Sequence, residues 1–266
     1  MTIRESPPAG VPCWVDLWTS DVDTARRFYG ELFGWTADEP APEFGGYFGF
    51  ERDGARIAGA MGDMGEPGTD FFMPANDAWK VYLATPDAEA AATSAVAAGA
   101  ELMAPVTPVG DLGVMAVLND PTGANVGFWQ QGTHPGFTVL DEPGAPSWFE
   151  LHTRDHDAAV KFYSSVLDLT VDAVGDTDEF RYSTLNGPSD CGQIAGIMDA
   201  TAWLPEGAPP HWTIYWCVDD TDAAVEQVEK LGGSVIAPAE DTPYGRIATV
   251  ADPMGATFQL RTPPVA

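Results

Sequence analysis

The chain has 266 residues, of which 45% are hydrophobic and 20% charged, a composition typical of folded globular proteins. Forty acidic residues against twelve Lys and Arg give a net charge of −28, which disfavours nucleic acid and anionic lipid as partners. No run approaches the roughly 18 apolar residues of a membrane span, and the first twelve residues contain no apolar stretch typical of a signal peptide. We therefore expect a cytoplasmic protein without membrane contact.

The first predicted elements are a short alternating strand and an amphipathic helix. Trp14-Val15-Asp16-Leu17 begins the strand, and Ser20-Asp21 supplies the residue type that caps a helix N-terminus. The helical stripe that follows has apolar residues at i, i+3, i+4, i+7 and i+8: Ala25, Phe28, Tyr29, Leu32 and Phe33. Gly34 then predicts the end of the helix.

The second half of the chain repeats the first half in order. Trp148-Phe149-Glu150-Leu151 echoes the first strand, and Asp155, Phe162 and Tyr163 follow Asp21, Phe28 and Tyr29 at one constant offset. Further matches are Ile57-Ala58-Gly59 with Ile194-Ala195-Gly196, Trp79 and Tyr82 with Trp212 and Tyr215, and Asp120-Pro121-Thr122-Gly123-Ala124 with Asp252-Pro253-Met254-Gly255-Ala256. Such ordered matches indicate a tandem duplication.

Each copy itself contains two similar strand-helix units. A strand followed by Asp and a helix occurs at Asp21 and again at Asp87, and the second copy has the same pattern at Asp155 and Asp220 with nearly the same spacing. The sequence between helices is short, alternating and interrupted by Gly, Pro and Asp, which predicts short strands. We predict an α+β protein with a first domain over 12–129, a Gly- and Pro-rich linker over 130–146 and a second domain over 147–262.

The strand-Asp-helix pattern with Phe-Tyr in the helix, followed by an Asp-Pro-x-Gly turn, resembles the vicinal oxygen chelate superfamily. That group includes glyoxalase I, bleomycin-resistance proteins, fosfomycin-resistance enzymes and extradiol dioxygenases. The tandem form, with Phe-Gly-Trp at 33–35, is similar to an actinobacterial branch described as 27-kDa-antigen-like, whose members often carry a hydroxylase label. The resemblance implies four βαβββ modules that form two curved sheets, each around a ligand cavity. The first module is expected to pair with the second and the third with the fourth, or else the first with the fourth and the second with the third.

The resemblance also implies where a metal would bind. The family's ligand positions fall on Trp14, Lys80 and Gly127 in the first copy, and on Trp148, Thr213 and Gln259 in the second. These side chains lack the carboxylate, imidazole and thiolate donors that divalent metals prefer. We therefore expect no metal and no cofactor, and a small molecule as the partner of a monomer or homodimer.

Strand alternation predicts which side chains face each cavity. In the first copy they include Trp14, Asp16, Trp18, Lys80, Tyr82, Asn125, Gly127 and Trp129. In the second copy they include Trp148, Glu150, His152, Thr213, Tyr215, Thr257, Gln259 and Arg261. Asp16–Lys80 and Glu150–Arg261 are candidate ion pairs of purely structural importance. His134, in the linker, carries no functional signal, and His156 and His211 are expected to be surface or structural residues.

The second copy is the better candidate for chemistry. Only there does a strand place an imidazole two residues from a carboxylate, and His is the residue type that ordinarily changes charge near neutral pH. We expect Glu150 and His152 to be catalytic and Trp148, Thr213, Tyr215, Gln259, Arg261, Trp14, Asp16, Trp18 and Tyr82 to bind substrate.

Three functions remain open. The favoured hypothesis is a metal-independent enzyme of secondary metabolism, carrying out a hydroxylase-type or a lyase or isomerase step on an aromatic or polyketide-like metabolite. The first alternative is a non-catalytic drug- or metabolite-binding protein similar to bleomycin-resistance proteins. The second is a metal-dependent lyase or dioxygenase with relocated ligands such as Glu150, His152 and His211.

Overall fold

The structure, a computed structural model, describes residues 6–65, 74–177, 179–188 and 191–264. Within these ranges the first half contains nine strands, two α-helices and a short 3-10 helix over Pro42–Phe44. In chain order its elements are β1 (Pro12–Trp18), α1 (Val22–Phe33), β2 (Thr36–Ala37), β3 (Phe48–Arg52), β4 (Ala55–Met61), β5 (Ala78–Ala84), α2 (Ala88–Ala97), β6 (Glu101–Leu102), β7 (Thr107–Val109), β8 (Gly113–Asn119) and β9 (Asn125–Gln131).

The second half follows the same order. Its elements are β10 (Pro146–Thr153), α3 (His156–Leu167), β11 (Thr170–Asp176), β12 (Arg181–Asn186), β13 (Gln193–Asp199), β14 (His211–Cys217), α4 (Thr221–Lys230), β15 (Ser234–Thr242), β16 (Gly245–Ala251) and β17 (Thr257–Thr262). In the part of the chain that the structure describes, no helix is both long and apolar enough to cross a bilayer.

The strands form two mixed sheets with one topology. The first sheet has the order β2-β3-β4-β1-β5-β9-β8-β6, with β7 on β8, and the second has the order β11-β12-β13-β10-β14-β17-β16-β15. In each sheet the first strands of two modules, β1 with β5 and β10 with β14, are antiparallel neighbours at the centre. The first module thus pairs with the second and the third with the fourth, and the predicted α+β fold is confirmed.

The helices begin where the sequence predicts. The side chain of Asp21 accepts a hydrogen bond from the backbone of Thr24, and Gly34 ends α1 in the left-handed conformation. Asp87, Asp155 and Asp220 cap the other three helices in the same way. Each cap satisfies a backbone N–H that the helix itself leaves unpaired.

The two halves meet through their helices, with α1 packed against α4 and α2 against α3. Tyr29 of α1 donates a hydrogen bond of 3.0 Å to Asp252 in the second half. Reciprocally, Tyr163 of α3 donates one of 2.7 Å to Asp120 in the first half. Both phenols are completely buried. The two bonds therefore join the halves at positions related by the internal repeat.

A tryptophan completes each of these contacts. Trp79 Nε1 donates to the Tyr29 hydroxyl at 3.1 Å, and Trp212 Nε1 donates to the Tyr163 hydroxyl at 2.9 Å. Trp79 lies opposite Leu17 across β1 and β5, so this face of the sheet is the one that the helices cover. Asp16, the residue before Leu17 on β1, must therefore point to the opposite face.

We expect Tyr29→Phe and Tyr163→Phe each to lower the free energy of unfolding by about 1–3 kcal/mol, because a buried indole N–H and a buried carboxylate lose their shared partner. Urea denaturation of the two variants measures the loss. Tyr244→Phe is the control, since Tyr244 is 54% exposed. Losses no larger than that of the control would contradict the importance of the interface.

Candidate functional site

The helix-free face of the first sheet carries a buried carboxylate held by aromatic donors. Asp16 Oδ1 accepts hydrogen bonds from Trp14 Nε1 at 2.9 Å and from the Tyr47 hydroxyl at 2.8 Å. Tyr82, on the neighbouring strand, lies near enough to this carboxylate to oppose the rise that burial causes in its pKa. Asp16 is only 7% exposed. We call Trp14, Asp16, Tyr47 and Tyr82 the first site.

The second sheet has a similar arrangement with an imidazole added. Glu150 Oε1 accepts a hydrogen bond from the Tyr215 hydroxyl at 2.9 Å and lies 2.8 Å from His152 Nε2. Trp148 Nε1 donates to the Tyr182 hydroxyl at 3.0 Å, and Tyr182 lies near enough to Glu150 for that carboxylate to add to the rise that burial causes in its pKa. Trp148, Glu150, His152, Tyr182 and Tyr215 form the second site. Glu150 is 5% and His152 4% exposed, so both polar groups are buried beneath aromatic neighbours.

Tyr47 and Tyr182 were not predicted as site residues. Tyr47 and Tyr182 are separated by nearly the same number of residues as the other repeated pairs. Aligning the two copies would therefore have identified them. Each reaches its carboxylate by lying across a glycine. A Cβ on Gly59 would overlap the Tyr47 hydroxyl, and a Cβ on Gly196 would overlap that of Tyr182. The repeated Ile-Ala-Gly segment thus leaves room for a tyrosine beside each carboxylate.

Burial dominates the electrostatics of the first site. It raises the pKa of Asp16, although hydrogen bonds from Tyr47 and Tyr82 and the charge of Lys80 oppose that rise. Burial also lowers the pKa of Lys80, and the nearby Asp16 charge only partly offsets this effect. In the second site burial raises the pKa of Tyr215, and the Glu150 carboxylate raises it further.

Neither of the two expected ion pairs forms. Lys80 Nζ lies 4.5 Å from the centroid of the Trp18 ring, over its face, instead of against the Asp16 carboxylate. Arg261 Nε donates to the backbone carbonyl of Tyr244 at 2.8 Å. In both sites tyrosine and tryptophan donors, or His152, hold the carboxylate, so it does not need a distant cation.

Three further predicted residues, Thr213, Gln259 and Gly127, form no hydrogen bond with the carboxylate in either site. Thr213 is opposite Glu150 across β10 and β14 and is buried, whereas Gln259 accepts a hydrogen bond from Thr249 at 2.8 Å. Gly127 does not leave the first site open, because the Tyr82 ring lies across it, where a Cβ would otherwise stand.

The segment between the two sheets covers Trp14 of the first site. His134 lies edge-on to Trp14 with ring centroids 4.4 Å apart, and the Phe137 ring is 5.9 Å from that of Trp14. Trp14 is consequently 5% exposed, whereas Trp148 and Tyr215 in the second site stay partly exposed. His134, for which the sequence carries no functional signal, has a structural role here, because it packs on Trp14.

The fold family implies a metal, and the donors in neither site fit one. The six family positions hold Trp, Lys and Gly or Trp, Thr and Gln, which provide no carboxylate or imidazole. His152 Nε2 faces Glu150, and the nearby His211 turns Nδ1 toward the carbonyl of Pro209 at 3.2 Å. Across the described ranges, no three His, Cys, Asp or Glu side chains are grouped so that they could hold a metal ion.

His134 predicts a pH dependence of stability. Burial, with a smaller contribution from the charge of Arg56, lowers the pKa of His134 to about 4. A folded pKa below the unfolded value of about 6.5 means that the neutral imidazole stabilises the fold fully above pH 6.5, and that this contribution is lost as the pH falls through 4. We expect the free energy of unfolding to decrease over this window by about 3 kcal/mol because of this group. Urea denaturation of wild type and His134→Gln from pH 7 to 4 tests it, and equal slopes would contradict it.

The glycine beneath Tyr182 provides a second prediction. Gly196→Ala forces Tyr182 away from Glu150, so we expect the ring resonances of His152 to shift and stability to fall by about 1–3 kcal/mol. Gly59→Ala is the matched control, because it displaces Tyr47 in the first site and leaves His152 in place. Proton NMR of the His152 ring distinguishes them, and equal spectra for the two variants would refute the assignment of Tyr182 to the second site.

Comparisons with known proteins agree with this architecture. Residues 145–260 match the profile of the Glyoxalase/Bleomycin resistance protein/Dioxygenase superfamily, and residues 13–128 match that of a glyoxalase-like domain. The chain is 37% identical over 265 residues to CFP32 of Mycobacterium bovis, named provisionally as a glyoxylase, covering 99% of this chain and 98% of that protein. It is 38% identical over 264 residues to the anthracycline biosynthesis protein DnrV of Streptomyces peucetius, covering 94% and 92%.

Solved structures share the fold at low sequence identity. The Mn(II)-bound glyoxalase from Novosphingobium aromaticivorans superposes with a TM-score of 0.63 at 18% identity, covering 96% of this chain and 82% of that one. The 2,3-dioxygenase LapB from Pseudomonas sp. KL28 superposes with a TM-score of 0.62 at 15% identity, covering 97% and 94%. The protein belongs to the glyoxalase, bleomycin-resistance and dioxygenase superfamily, as a tandem of two glyoxalase-like domains.

Proposed function

We propose that the protein is a tailoring enzyme of secondary metabolism that moves a proton on an aromatic or polyketide-like substrate, with Glu150 and His152 as its acid/base pair. The observation that carries the proposal is the 2.8 Å contact between His152 Nε2 and Glu150 Oε1, buried on the helix-free face of the second sheet. The relative DnrV, named for anthracycline biosynthesis, supports this class of substrate.

In this proposal the two residues have different roles. Glu150 receives a hydrogen bond from Tyr215, which holds the carboxylate in place, and Tyr182 lies beside it. His152 is positioned to take a proton from an acidic C–H or O–H of the ligand, and Glu150 then stabilises the resulting imidazolium. Because Nε2 contacts Glu150, His152 takes this proton at Nδ1 and returns it from Nδ1 to the substrate or to water. Hydroxylase-type, lyase and isomerase steps all include such a transfer, so the proposal does not depend on choosing among them.

The first site has a different role in this proposal. Asp16 occupies the position equivalent to Glu150, but Trp18 stands where the second site has His152, and among the described residues no imidazole contacts the Asp16 carboxylate. His134 and Phe137 also cover this face. We propose that the first domain supports the second through the shared interface and that substrate binds at the second site.

Exchange of a carbon-bound proton tests the proposal. Anthrone, a flat three-ring ketone with an acidic C–H, is incubated anaerobically with the protein in deuterated water, and deuterium uptake is followed by mass spectrometry. We expect catalysed exchange in the wild type and a loss of at least about 100-fold in Glu150→Gln and His152→Ala, the usual range for removing an acid/base group. Asp16→Asn and Trp18→Ala are the matched controls from the first site and should keep the activity within a few-fold.

The other outcomes have defined meanings. Equal losses in both pairs of variants would indicate that the two faces act together, and loss in the first-site variants alone would overturn the proposal. Anthrone that binds and returns without deuterium would favour the alternative of a non-catalytic metabolite-binding protein. All four variants should keep the wild-type circular dichroism spectrum, because none of these side chains lies in the interface between the two halves.

A further inference from the structure

Three large aromatic side chains are exposed beside the second site. Trp203 is 51% exposed, Tyr244 54% and Phe180 43%. Burying each of these groups would be favourable, and exposed aromatic clusters commonly mark a place where another molecule binds. In a chain of net charge −28, such a group of exposed aromatic side chains is a specific feature of this face.

Two of the three rings contact a residue of the second site, and the third belongs to Tyr244, which lies near enough to Tyr182 to contribute, after burial, to its raised pKa. The Trp203 ring lies edge-on to His152, with centroids 4.7 Å apart. Phe180 stacks on Tyr182 at 6.0 Å with an angle of 22° between the rings. The backbone carbonyl of Tyr244 accepts the hydrogen bond from Arg261. The exposed aromatics therefore continue the second site outward to solvent.

The loop that carries Trp203 is held by other groups. Arg154 donates hydrogen bonds to the carbonyls of Leu204, Pro205 and Ala208, at 3.0, 2.6 and 2.7 Å. The neighbouring Leu204 side chain is buried. Because these contacts position the loop, the Trp203 indole is not needed to hold it, and its half-exposed ring is available to a ligand.

We propose that Trp203, Phe180 and Tyr244 form an aromatic entrance to the second site, and that Trp203 selects flat, fused-ring ligands by stacking them above His152. This inference rests on the proposed function, since it names the residue through which that site distinguishes its substrates. An aromatic ring stacks best on a ligand of comparable area, so a three-ring ligand gains more from Trp203 than a single ring does.

Calorimetric titration with two ketones tests the proposal: anthrone, with three fused rings, and acetophenone, with one. We expect Trp203→Ala to weaken anthrone binding roughly tenfold and Trp203→Phe to keep most of the affinity, while acetophenone binding changes less than twofold. Phe44→Ala is the matched control, because Phe44 is 39% exposed and lies in the first half of the chain. It should bind anthrone as the wild type does.

Three results would overturn the inference. The first is wild-type affinity for anthrone in Trp203→Ala while Glu150→Gln or His152→Ala abolishes deuterium exchange, which would leave the proposed function intact. The second is an equal loss for both ketones. The third is a Trp203→Ala variant that sediments as a monomer where the wild type is a dimer, which would identify a second copy as the occupant of the aromatic cluster. A wild type that binds neither ketone would overturn the proposed function itself.

Discussion

Two reciprocal hydrogen bonds, Tyr29 to Asp252 and Tyr163 to Asp120, are the constraint on which the rest of the structure depends. Each aspartate accepts hydrogen bonds both from its own turn and from the other half of the chain. Asp120 Oδ1 accepts from Thr122 N and Ala124 N within its own turn, while Oδ2 accepts from the tyrosine of the other half. A carboxylate with both oxygens satisfied can be buried without the loss that an unpaired charge would cause. The same two aspartates therefore shape their turns and join the two halves.

Because of this constraint, one face of each sheet packs in the interface and the opposite face is left for the candidate sites. Trp79 and Trp212 use the helix-covered face to reach the interface, so the alternate residues of the central strands are left for the opposite face. Rings from both halves fill the interface; Trp35 and Trp216, for example, lie 4.9 Å apart. A buried interface of this kind allows one half to support the other while their opposite faces differ in sequence.

Divergence after duplication is visible in a few residues. Both faces keep a buried carboxylate with two tyrosines, and a glycine beneath one of them, which identifies this arrangement as the shared part of the two sites. His152 is present in the second site only, and His134 covers the first site only. The imidazole in one site contacts the Glu150 carboxylate, whereas the imidazole over the other is packed against Trp14, where burial lowers its pKa. Two histidines thus distinguish the face proposed for chemistry from the face on which His134 covers Trp14.

The sequence by itself determined whatever depends on short-range pattern. Asp21 and Gly34 bound the first helix as its capping residues predict, and alternation alone placed Glu150 and His152 on one face. The tertiary structure decided which modules pair and that Tyr47 and Tyr182 lie beside the two carboxylates. It also decided that His134 packs over Trp14 of the first site. It also replaced the expected Asp16–Lys80 ion pair with a lysine over Trp18. Periodicity and capping act within one or two turns of chain, whereas these contacts join residues far apart in sequence. Their partners are chosen by sheet register and by the space that a glycine such as Gly59 leaves, and neither is encoded in a local pattern.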